Sequence, residues 1–281
     1  MIPSNRARRD GETLRELCAA FRLPSISRPG IRQKRMKLIT FGRLLYQKFF
    51  DTKEGERASF TIAERFASFW YPKISLSGFG RAWLTDEEFL NFYRRFVPAT
   101  SHTADTKFFL RSLLQLVEHL PGDTAECGAY QGASSWLICD KFKHSGKMHF
   151  VFDSCEGLSV PAGIDGAHWT KGDLYAAEEG LRANLSSFSQ LKILRGWIPE
   201  RFPEIADREF CFVHIDVDLY QPTFDSLSFF YSRLVQGGII LFDDYGFIDC
   251  PGATAAIDEV MKDKLENIIH VPTGQAFIIK R

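Results

Sequence analysis

Acidic residues with the chemistry of metal ligands follow two apolar runs of this sequence. Asp216 and Asp218 end the segment FCFVHIDVD, and Asp243 and Asp244 end the segment IILFDD. Carboxylates at the carboxyl ends of neighbouring parallel strands converge on one crevice, where they repel one another unless something positive lies between them. The spacing therefore predicts a divalent cation held by oxygen ligands.

The elements that must position these acids alternate along the chain. Both apolar runs are short and rich in β-branched and aromatic residues, which predicts strands buried on both faces. The predicted strands are a short one before Gly128, followed by 148–152, 191–194, 210–215 and 239–242, with a closing pair at 270–271 and 276–280. The predicted helices are 105–119, 133–143, 174–187 and 223–235. Alternating strands and helices predict an α/β fold with a doubly wound, mostly parallel sheet.

A glycine-containing turn in the segment DTAECGAYQGASSW is a candidate ligand cradle. Gly128 and Gly132 allow close approach of the backbone, and Ser134 and Ser135 fall in the first turn of the following predicted helix. A dinucleotide site requires G-x-G-x-x-G, whereas this chain has G-x-x-x-G preceded by Glu126. A carboxylate disfavours a diphosphate and favours a cationic ligand, such as a sulfonium that carries an amino group.

A second acid completes the predicted cofactor site. Asp153 ends the next predicted strand, about 25 residues after Gly128, where a carboxylate can accept hydrogen bonds from both ribose hydroxyls. With Glu126, it favours S-adenosylmethionine over NAD. Trp197 follows the third strand and either stacks on adenine or fills the core. The candidate cofactor-binding residues are Glu126, Gly128, Tyr130, Gly132, Ser134, Ser135, Asp153, Ser154, Gly196 and Trp197.

Length and composition set the domain organisation. The chain has 281 residues, of which 45% are hydrophobic, enough to bury a large core. We predict a basic arm over 1–50, an aromatic-rich helical cap over 51–104 that packs on the sheet domain, and the cofactor-binding domain over 105–281. The N-terminus lacks the pattern of a signal peptide, and the six cysteines show no CxxC spacing, so a cytoplasmic protein without disulfides or zinc is expected.

The charge distribution is asymmetric although the net charge is zero. Residues 1–50 carry 12 Lys and Arg against 3 Asp and Glu, whereas the remainder carries 23 against 32. A basic segment is compatible with nucleic acid or an anionic membrane surface. A solvated arm, or one that lies on the acidic body of a partner subunit, is the interpretation we favour. We therefore expect no nucleic acid, no stable membrane insertion and a possible homodimer.

Five ordered segments, AECGAYQGASS, FDSCEGL, LRGWIPERFPE, HIDVDLYQPTFDSL and GGIILFDDYG, resemble the macrocin O-methyltransferase (TylF) family over roughly residues 105–281. Members methylate sugar hydroxyls in macrolide and aminocoumarin antibiotic biosynthesis. The resemblance implies a class I methyltransferase fold, S-adenosylmethionine as methyl donor, magnesium dependence and a mobile helical lid. It places the metal ligands at Asp216, Asp243 and Asp244, and the catalytic acid-base position at the pair Asp216 and Asp218. A small-molecule or glycan acceptor follows from it.

Methylation of a sugar hydroxyl requires a proton acceptor, since the hydroxyl has a very high pKa. Asp218, or Asp216, is the candidate base. Capping of the following helix or loop is the competing role for Asp218. His214 is predicted to be a core histidine, and His168 lies in segment 158–175, which is either a lid or a flexible surface loop.

Two other functions compete with methyl transfer. A strand that ends in D-x-D also holds manganese and the diphosphate of a nucleotide sugar in many glycosyltransferases, and Asp216 and Asp218 fit that pattern. This alternative leaves Glu126 and Asp153 unexplained. A catalytically inactive scaffold is the second alternative, and the intact acids argue against it.

Overall fold

The computed structural model describes residues 55–72, 81–96 and 103–281. The chain divides into two units at Gly80 and Arg81. The predicted basic arm over 1–50 lies outside the described residues, and the described residues of the predicted cap are shared between the two units. Helix α1, Gly55–Ala67, belongs to the first unit. No described helix is long and apolar enough to cross a membrane.

The second unit contains the strands and the remaining described helices. Its helices are α2 Glu87–Phe96, α3 Ala104–Leu114, α4 Ala133–Phe142, α5 Glu178–Leu185, α6 Tyr220–Tyr231 and α7 Pro251–Met261. Its strands are β1 Asp123–Cys127, β2 His149–Asp153, β3 Leu191–Arg195, β4 Phe210–Ile215, β5 Leu234–Phe242, β6 Ile269–His270 and β7 Ala276–Ile279. Three short 3₁₀ helices, Ala82–Thr85, Gly163–Asp165 and Phe202–Ile205, lie between them.

The seven described strands form one sheet in the order β3-β2-β1-β4-β5-β7-β6. The first five are parallel, and β7 pairs antiparallel with both β5 and β6. The strand order reverses between β1 and β4, and ligands of such sheets bind in the crevice at the carboxyl ends of the strands flanking that point. The predicted α/β, doubly wound, mostly parallel sheet is confirmed.

Local backbone geometry explains where element boundaries differ from the sequence pattern. The predicted helix 174–187 begins only at Glu178, because Leu174 has a left-handed φ of 57° and Ala177 is extended. Strand β5 begins at Leu234 rather than at the predicted residue 239. It includes Gly237 and Gly238, and its pairing with β4 has an irregularity between Phe210 and Phe212.

Phenylalanine side chains form a connected group in the core between the sheet and its helices. Phe152, Phe210 and Phe230 are almost fully buried, and the Phe230 ring makes edge-to-face contacts with the rings of Phe152, Phe210 and Phe202. Phe152 also makes an edge-to-face contact with Phe202. Burial of each such side chain contributes about 1.5–3 kcal/mol. This packing fixes the strand ends that carry the candidate site.

Candidate active site

A cavity of about 250 Å³ opens at the carboxyl ends of β1, β2 and β4. The turn after β1, the end of β2, the turn after β3 and the loop after β4 all contribute to its wall. Among the candidate site residues, the wall includes Gly128, Tyr130, Ser134, Asp153, Ser154, Gly196, Trp197, Asp216 and Asp218. The structure therefore brings most of the predicted cofactor-binding residues together with the first aspartate pair.

The glycine turn after β1 is held tightly against the neighbouring strands. The Gly128 N–H donates to the Phe152 carbonyl at 2.9 Å, and the Asp216 N–H donates to the Cys127 carbonyl at 2.9 Å. Gly128 has a φ of 80°, and a Cβ atom at this position would lie 1.7 Å from the Asp216 carbonyl oxygen. Only glycine fits here, since both the backbone angle and the space exclude a side chain.

The Asp153 carboxylate supports this turn from the end of β2. Its Oδ2 accepts hydrogen bonds from the Ala129 N–H at 2.8 Å and the Tyr130 N–H at 3.0 Å. Its Oδ1 accepts from the Cys155 N–H at 2.7 Å. Asp153 also lines the cavity. It thus has a structural role in the turn that the sequence pattern did not reveal, besides its predicted contact with a ribose.

Glu126 lies in the core rather than in the cavity wall, which differs from the sequence-based expectation. Ala125 and Cys127 pack into the main hydrophobic cluster. Because side chains alternate along a strand, Glu126 points to the other face of the sheet. There it is 1% exposed, accepts a short hydrogen bond from Ser135, and lies 2.7 Å from His214 Nδ1. Ser135 is likewise buried and absent from the cavity wall.

His214 joins Glu126 to the second aspartate pair. Its Nδ1 faces Glu126, and its Nε2 lies 3.3 Å from Asp243 Oδ1. Burial lowers the pKa of His214, but hydrogen bonds and the charges of Asp243 and Glu126 outweigh burial and raise this pKa to about 9. At neutral pH, His214 is therefore an imidazolium that lies between the buried carboxylates of Glu126 and Asp243. His214 is a core histidine as predicted, and its charged role becomes visible only from the β1–β4 register, which pairs it with Glu126.

The four aspartates fall into two groups. Asp216 and Asp243, with His214, have potential ligand atoms within 4.8 Å of one another, and Asp218, Asp244 and Cys250 form a second such group. Asp216 and Asp218 line the cavity, whereas Asp243 and Asp244 are buried and do not form part of its wall. The structure thus brings Asp216 and Asp243 together and places Asp244 beside Asp218, so the predicted set of three ligands is divided.

Electrostatics links the two groups. Burial raises the pKa of the Asp244 carboxyl well above its usual range, and the charges of Asp218, Asp216 and Asp243 raise it further. Asp244 Oδ2 also accepts a hydrogen bond from the Asp218 N–H at 2.9 Å. This concentration of carboxylates requires a bound proton or a cation for its stability.

The donor set fits a hard divalent cation. Asp216 and Asp243 supply carboxylate oxygens, the ligands that Mg²⁺ prefers. A protonated His214 cannot act as a ligand, and burial raises the pKa of the Cys250 thiol, which keeps it protonated. Oxygen atoms are therefore the donors available at this site among the described residues.

The segment 158–175, predicted as either a lid or a surface loop, supplies residues to the cavity wall, but His168 is not among them. Leu158, Ser159 and Leu174 line the cavity, but the His168 side chain is 50% exposed and lies 3.4 Å from Asp249 Oδ1. Asp165 anchors the segment, because its carboxylate accepts hydrogen bonds of 2.7 Å from the Ala162 and Tyr220 N–H groups.

Sequence reasoning missed one charged residue of the cavity wall, Lys107 on α3. Its side chain is buried, and its Nζ donates to Ser134 Oγ at 2.6 Å. The available signal was a lysine followed directly by three apolar residues in the segment TKFFL.

Comparison with known proteins identifies related sequences and folds. The profile of the macrocin-O-methyltransferase (TylF) family matches residues 109–272. The demethyldecarbamoylnovobiocin O-methyltransferase of Streptomyces niveus is 29% identical over 182 residues, which are 58% of this chain and 68% of that enzyme.

A second relative is the 8-demethyl-8-(2,3-dimethoxy-α-L-rhamnosyl)-tetracenomycin-C 4′-O-methyltransferase of Streptomyces olivaceus. It is 29% identical to this chain over 152 residues. The aligned residues are 49% of this chain and 58% of that enzyme. The crystal structure of the calicheamicin methyltransferase CalS11 superposes with a TM-score of 0.57 and 18% identity, covering 78% of this chain and 91% of the other. This likeness shows the class I methyltransferase fold.

Proposed function

This chain belongs to the macrocin O-methyltransferase (TylF) family, and we propose that it transfers a methyl group from S-adenosylmethionine to a sugar hydroxyl of a natural-product glycoside. One observation carries the proposal. The glycine turn, Asp153 and the pair Asp216 and Asp218 line the same cavity at the carboxyl ends of parallel strands. A cofactor cradle and acidic residues for chemistry on a hydroxyl are thus adjacent.

The cofactor would lie along the turn after β1. Asp153 stands where a carboxylate accepts hydrogen bonds from ribose hydroxyls, and Trp197 offers an aromatic surface to the adenine. Tyr130, Ser134, Ser154 and Gly196 complete this part of the wall. Glu126 and Ser135 would act from behind the wall by fixing β1 to α4.

A divalent cation, with Mg²⁺ as our candidate, would be held by Asp216 and Asp243. Asp244, the third predicted ligand, belongs to the neighbouring group and would contribute its charge, since Asp216 and Asp243 already act on its pKa. A cation bound there supplies positive charge that acidifies a nearby acceptor hydroxyl. His214 and Gln275 hold the Asp243 carboxylate in place through hydrogen bonds.

Asp218 is the proposed proton acceptor. Asp218 forms part of the cavity wall, and its backbone N–H donates a hydrogen bond to Asp244 that fixes its position. In the reaction, the hydroxyl oxygen forms a bond to the methyl carbon while the carbon–sulfur bond breaks, with its electron pair remaining on sulfur. The hydroxyl proton passes to Asp218. Alignment of the hydroxyl with the sulfur–methyl bond supplies much of the rate enhancement.

The acceptor class is inferred from the relatives. The enzyme from Streptomyces olivaceus is named for methylation of a rhamnosyl group on tetracenomycin, and the family takes its name from macrocin. The family match does not favour the glycosyltransferase alternative.

Two measurements test the proposal. Isothermal titration should give binding of S-adenosylhomocysteine and none of UDP or GDP, whereas binding of only a diphosphate nucleotide would reverse the assignment. Incubation with methyl-labelled S-adenosylmethionine and a panel of glycosylated natural products should transfer label to a sugar oxygen. Transfer to aglycones alone would refute the sugar acceptor.

A further inference from the structure

We propose that Lys107 binds the amino-acid carboxylate of the S-adenosylmethionine cofactor. This inference rests on the proposed function, because it names a part of the same cofactor. It assigns a positioning role to a residue outside the motifs of the sequence, on helix α3 rather than on a strand end.

The first observation is the burial of a charge. Lys107 is 2% exposed, yet it forms part of the cavity wall. Its Nζ donates to Ser134 Oγ at 2.6 Å, and no carboxylate among the described residues lies within ion-pair distance of it. Burial of an ammonium group with a neutral partner is costly, so a lysine at this position points to an anion that binds in the cavity.

The second observation is the position of the ammonium group. Ser134 is the second residue of α4, so Lys107 Nζ lies beside the amino-terminal end of that helix. The N–H groups and the dipole at a helix amino terminus also favour negative charge. Lys107 and the start of α4 thus make their part of the cavity wall positive, whereas Asp216 and Asp218 supply acidic groups to the same wall.

The chemistry of the cofactor matches this polarity. S-adenosylmethionine carries a carboxylate at the end of its amino-acid chain, a positive sulfonium in the middle and a ribose at the other end. Asp153 is the predicted contact of the ribose, and its carboxylate binds the N–H groups of Ala129 and Tyr130 in the turn after β1. The same turn leads into Ser134, which Lys107 contacts. A carboxylate at Lys107 directs the sulfonium toward the aspartates, where the acceptor hydroxyl must bind. An anionic group on the acceptor is the competing source of negative charge.

The test compares S-adenosylhomocysteine with its decarboxylated analogue, S-adenosyl-3-thiopropylamine, by isothermal titration. Wild type should bind the carboxylated ligand more tightly, and Lys107→Met should weaken it by about tenfold or more. Affinity for the decarboxylated analogue should change less than about threefold, because it has no group for the ammonium to bind. Lys107→Arg, which retains the charge, should preserve part of the preference.

A matched control is Lys141→Met on α4, since Lys141 pairs with Glu118 at 2.6 Å away from the cavity wall. It should leave both affinities unchanged. The melting temperature of ligand-free Lys107→Met should not fall, because the substitution removes a buried charge. Equal weakening of both ligands together with a lower melting temperature would show a packing role and overturn the inference.

The remaining outcomes are also decisive. Unchanged affinity of Lys107→Met for S-adenosylhomocysteine, with a higher KM for the acceptor, would assign Lys107 to an anionic acceptor group and refute the cofactor contact. Failure of wild type to bind S-adenosylhomocysteine would refute the proposed function, and this inference with it. If wild type binds S-adenosylhomocysteine tightly and Lys107→Met has the same affinity, the role of Lys107 is refuted while the proposed function stands.

Discussion

At the scale of single residues, the buried charges of the candidate site are compensated in different ways. Glu126 and Asp243 share the imidazolium of His214, so that charges of opposite sign lie in contact. Asp244 is surrounded by carboxylates, and its pKa is raised by burial and then by Asp218 and Asp216. His214 thus compensates the charges of Glu126 and Asp243, whereas the carboxylates around Asp244 need a proton or a cation between them.

Substitutions in the pair Asp216 and Asp218 test the proposed roles of metal ligand and base. Asp218→Asn should lower kcat by about a hundredfold or more, with metal affinity nearly intact, because it removes the proposed proton acceptor. Asp216→Asn should lower both kcat and metal affinity. The residual rate of Asp218→Asn should climb with pH, since hydroxide can partly replace the carboxylate. Steady-state kinetics and metal titration check this, and equal losses of metal affinity in both variants would make the pair a joint ligand.

Removal of the metal tests the second aspartate pair. EDTA should abolish turnover while affinity for S-adenosylhomocysteine stays within a few fold, because the proposed cation would be held by oxygen ligands beside the acceptor rather than beside the cofactor. Asp243→Asn should resemble metal removal, since it weakens a hard-cation site with little change of size. Turnover assays with and without added Mg²⁺ measure both effects. Full activity in chelator would refute the magnesium site.

Asp153 supports the turn after β1, and its proposed contact with the ribose can be tested separately. Asp153→Ala should weaken S-adenosylhomocysteine at least about tenfold, because hydrogen bonds to a charged group contribute about 1.5–3 kcal/mol each. Wild type should prefer this ligand to its 2′-deoxy analogue, and the variant should lose that preference.

Isothermal titration with S-adenosylhomocysteine and its 2′-deoxy analogue measures both affinities in wild type and Asp153→Ala. Asp263→Ala, at an exposed position after α7, serves as the control. A preference for the 2′-hydroxyl that survives in Asp153→Ala would place the ribose elsewhere and leave the carboxylate with the turn alone.

At the scale of elements, unusual backbone geometry concentrates around the cavity. The described non-glycine residues with positive φ are Tyr130, Cys155, Leu174 and Asp218, and all but Cys155 line the cavity. Such conformations cost about 1–3 kcal/mol each and persist where the surrounding structure holds them. The strand ends thus carry conformations that local sequence preference alone would not select.

The turn after β1 provides a sharp test of this geometry. Gly128→Ala should destabilise the protein by more than about 3 kcal/mol, because its Cβ would meet the Asp216 carbonyl oxygen in addition to backbone strain. Gly146→Ala is the matched control, since Gly146 has a φ of 77° and a Cβ atom added there would meet nothing within 4 Å. It should cost only about 1 kcal/mol. Denaturant unfolding compares them, and equal losses would contradict the predicted steric clash.

At the scale of the whole molecule, Glu266 ties the end of the chain to the sheet domain. It accepts hydrogen bonds from the Tyr231 hydroxyl and the Arg281 N–H, and it lies 3.5 Å from Lys280 Nζ. Burial raises the pKa of Glu266, but these hydrogen bonds and the charge of Lys280 outweigh burial and lower this pKa to about 2.

A carboxyl group whose pKa is lower in the folded state than in the unfolded state stabilises the protein at pH values above its unfolded-state pKa. This stabilisation is lost as the pH falls through the folded-state pKa. Glu266→Gln should therefore destabilise the protein at neutral pH, and its difference from wild type should shrink as pH falls from about 4.5 toward about 2. Tyr231→Phe should reproduce part of the effect. Denaturant unfolding at several pH values measures the difference, and a difference independent of pH would contradict the assignment.

The amino-acid sequence was sufficient to predict the α/β class, the strands at 210–215 and 191–194 almost to the residue, and the family. Apolar runs of strand length bounded by acids and glycines are local signals, and the parallel sheet follows from their alternation with helices. Candidates for the cavity wall, from Gly128 and Asp153 to Asp216 and Asp218, were available for the same reason. Each stands at a strand end, and parallel strands bring their carboxyl ends to one edge.

Tertiary contacts were needed to show which acids face the cavity and which face the core. Strand register pairs Glu126 with His214, and side-chain alternation turns Glu126 away from the cavity. Helix packing brings Lys107 to Ser134 across 27 positions of sequence. These placements depend on contacts between residues far apart in the chain, so no local pattern specifies them. The sequence thus identified the chemical groups, and their arrangement in space decided which of them can meet a ligand.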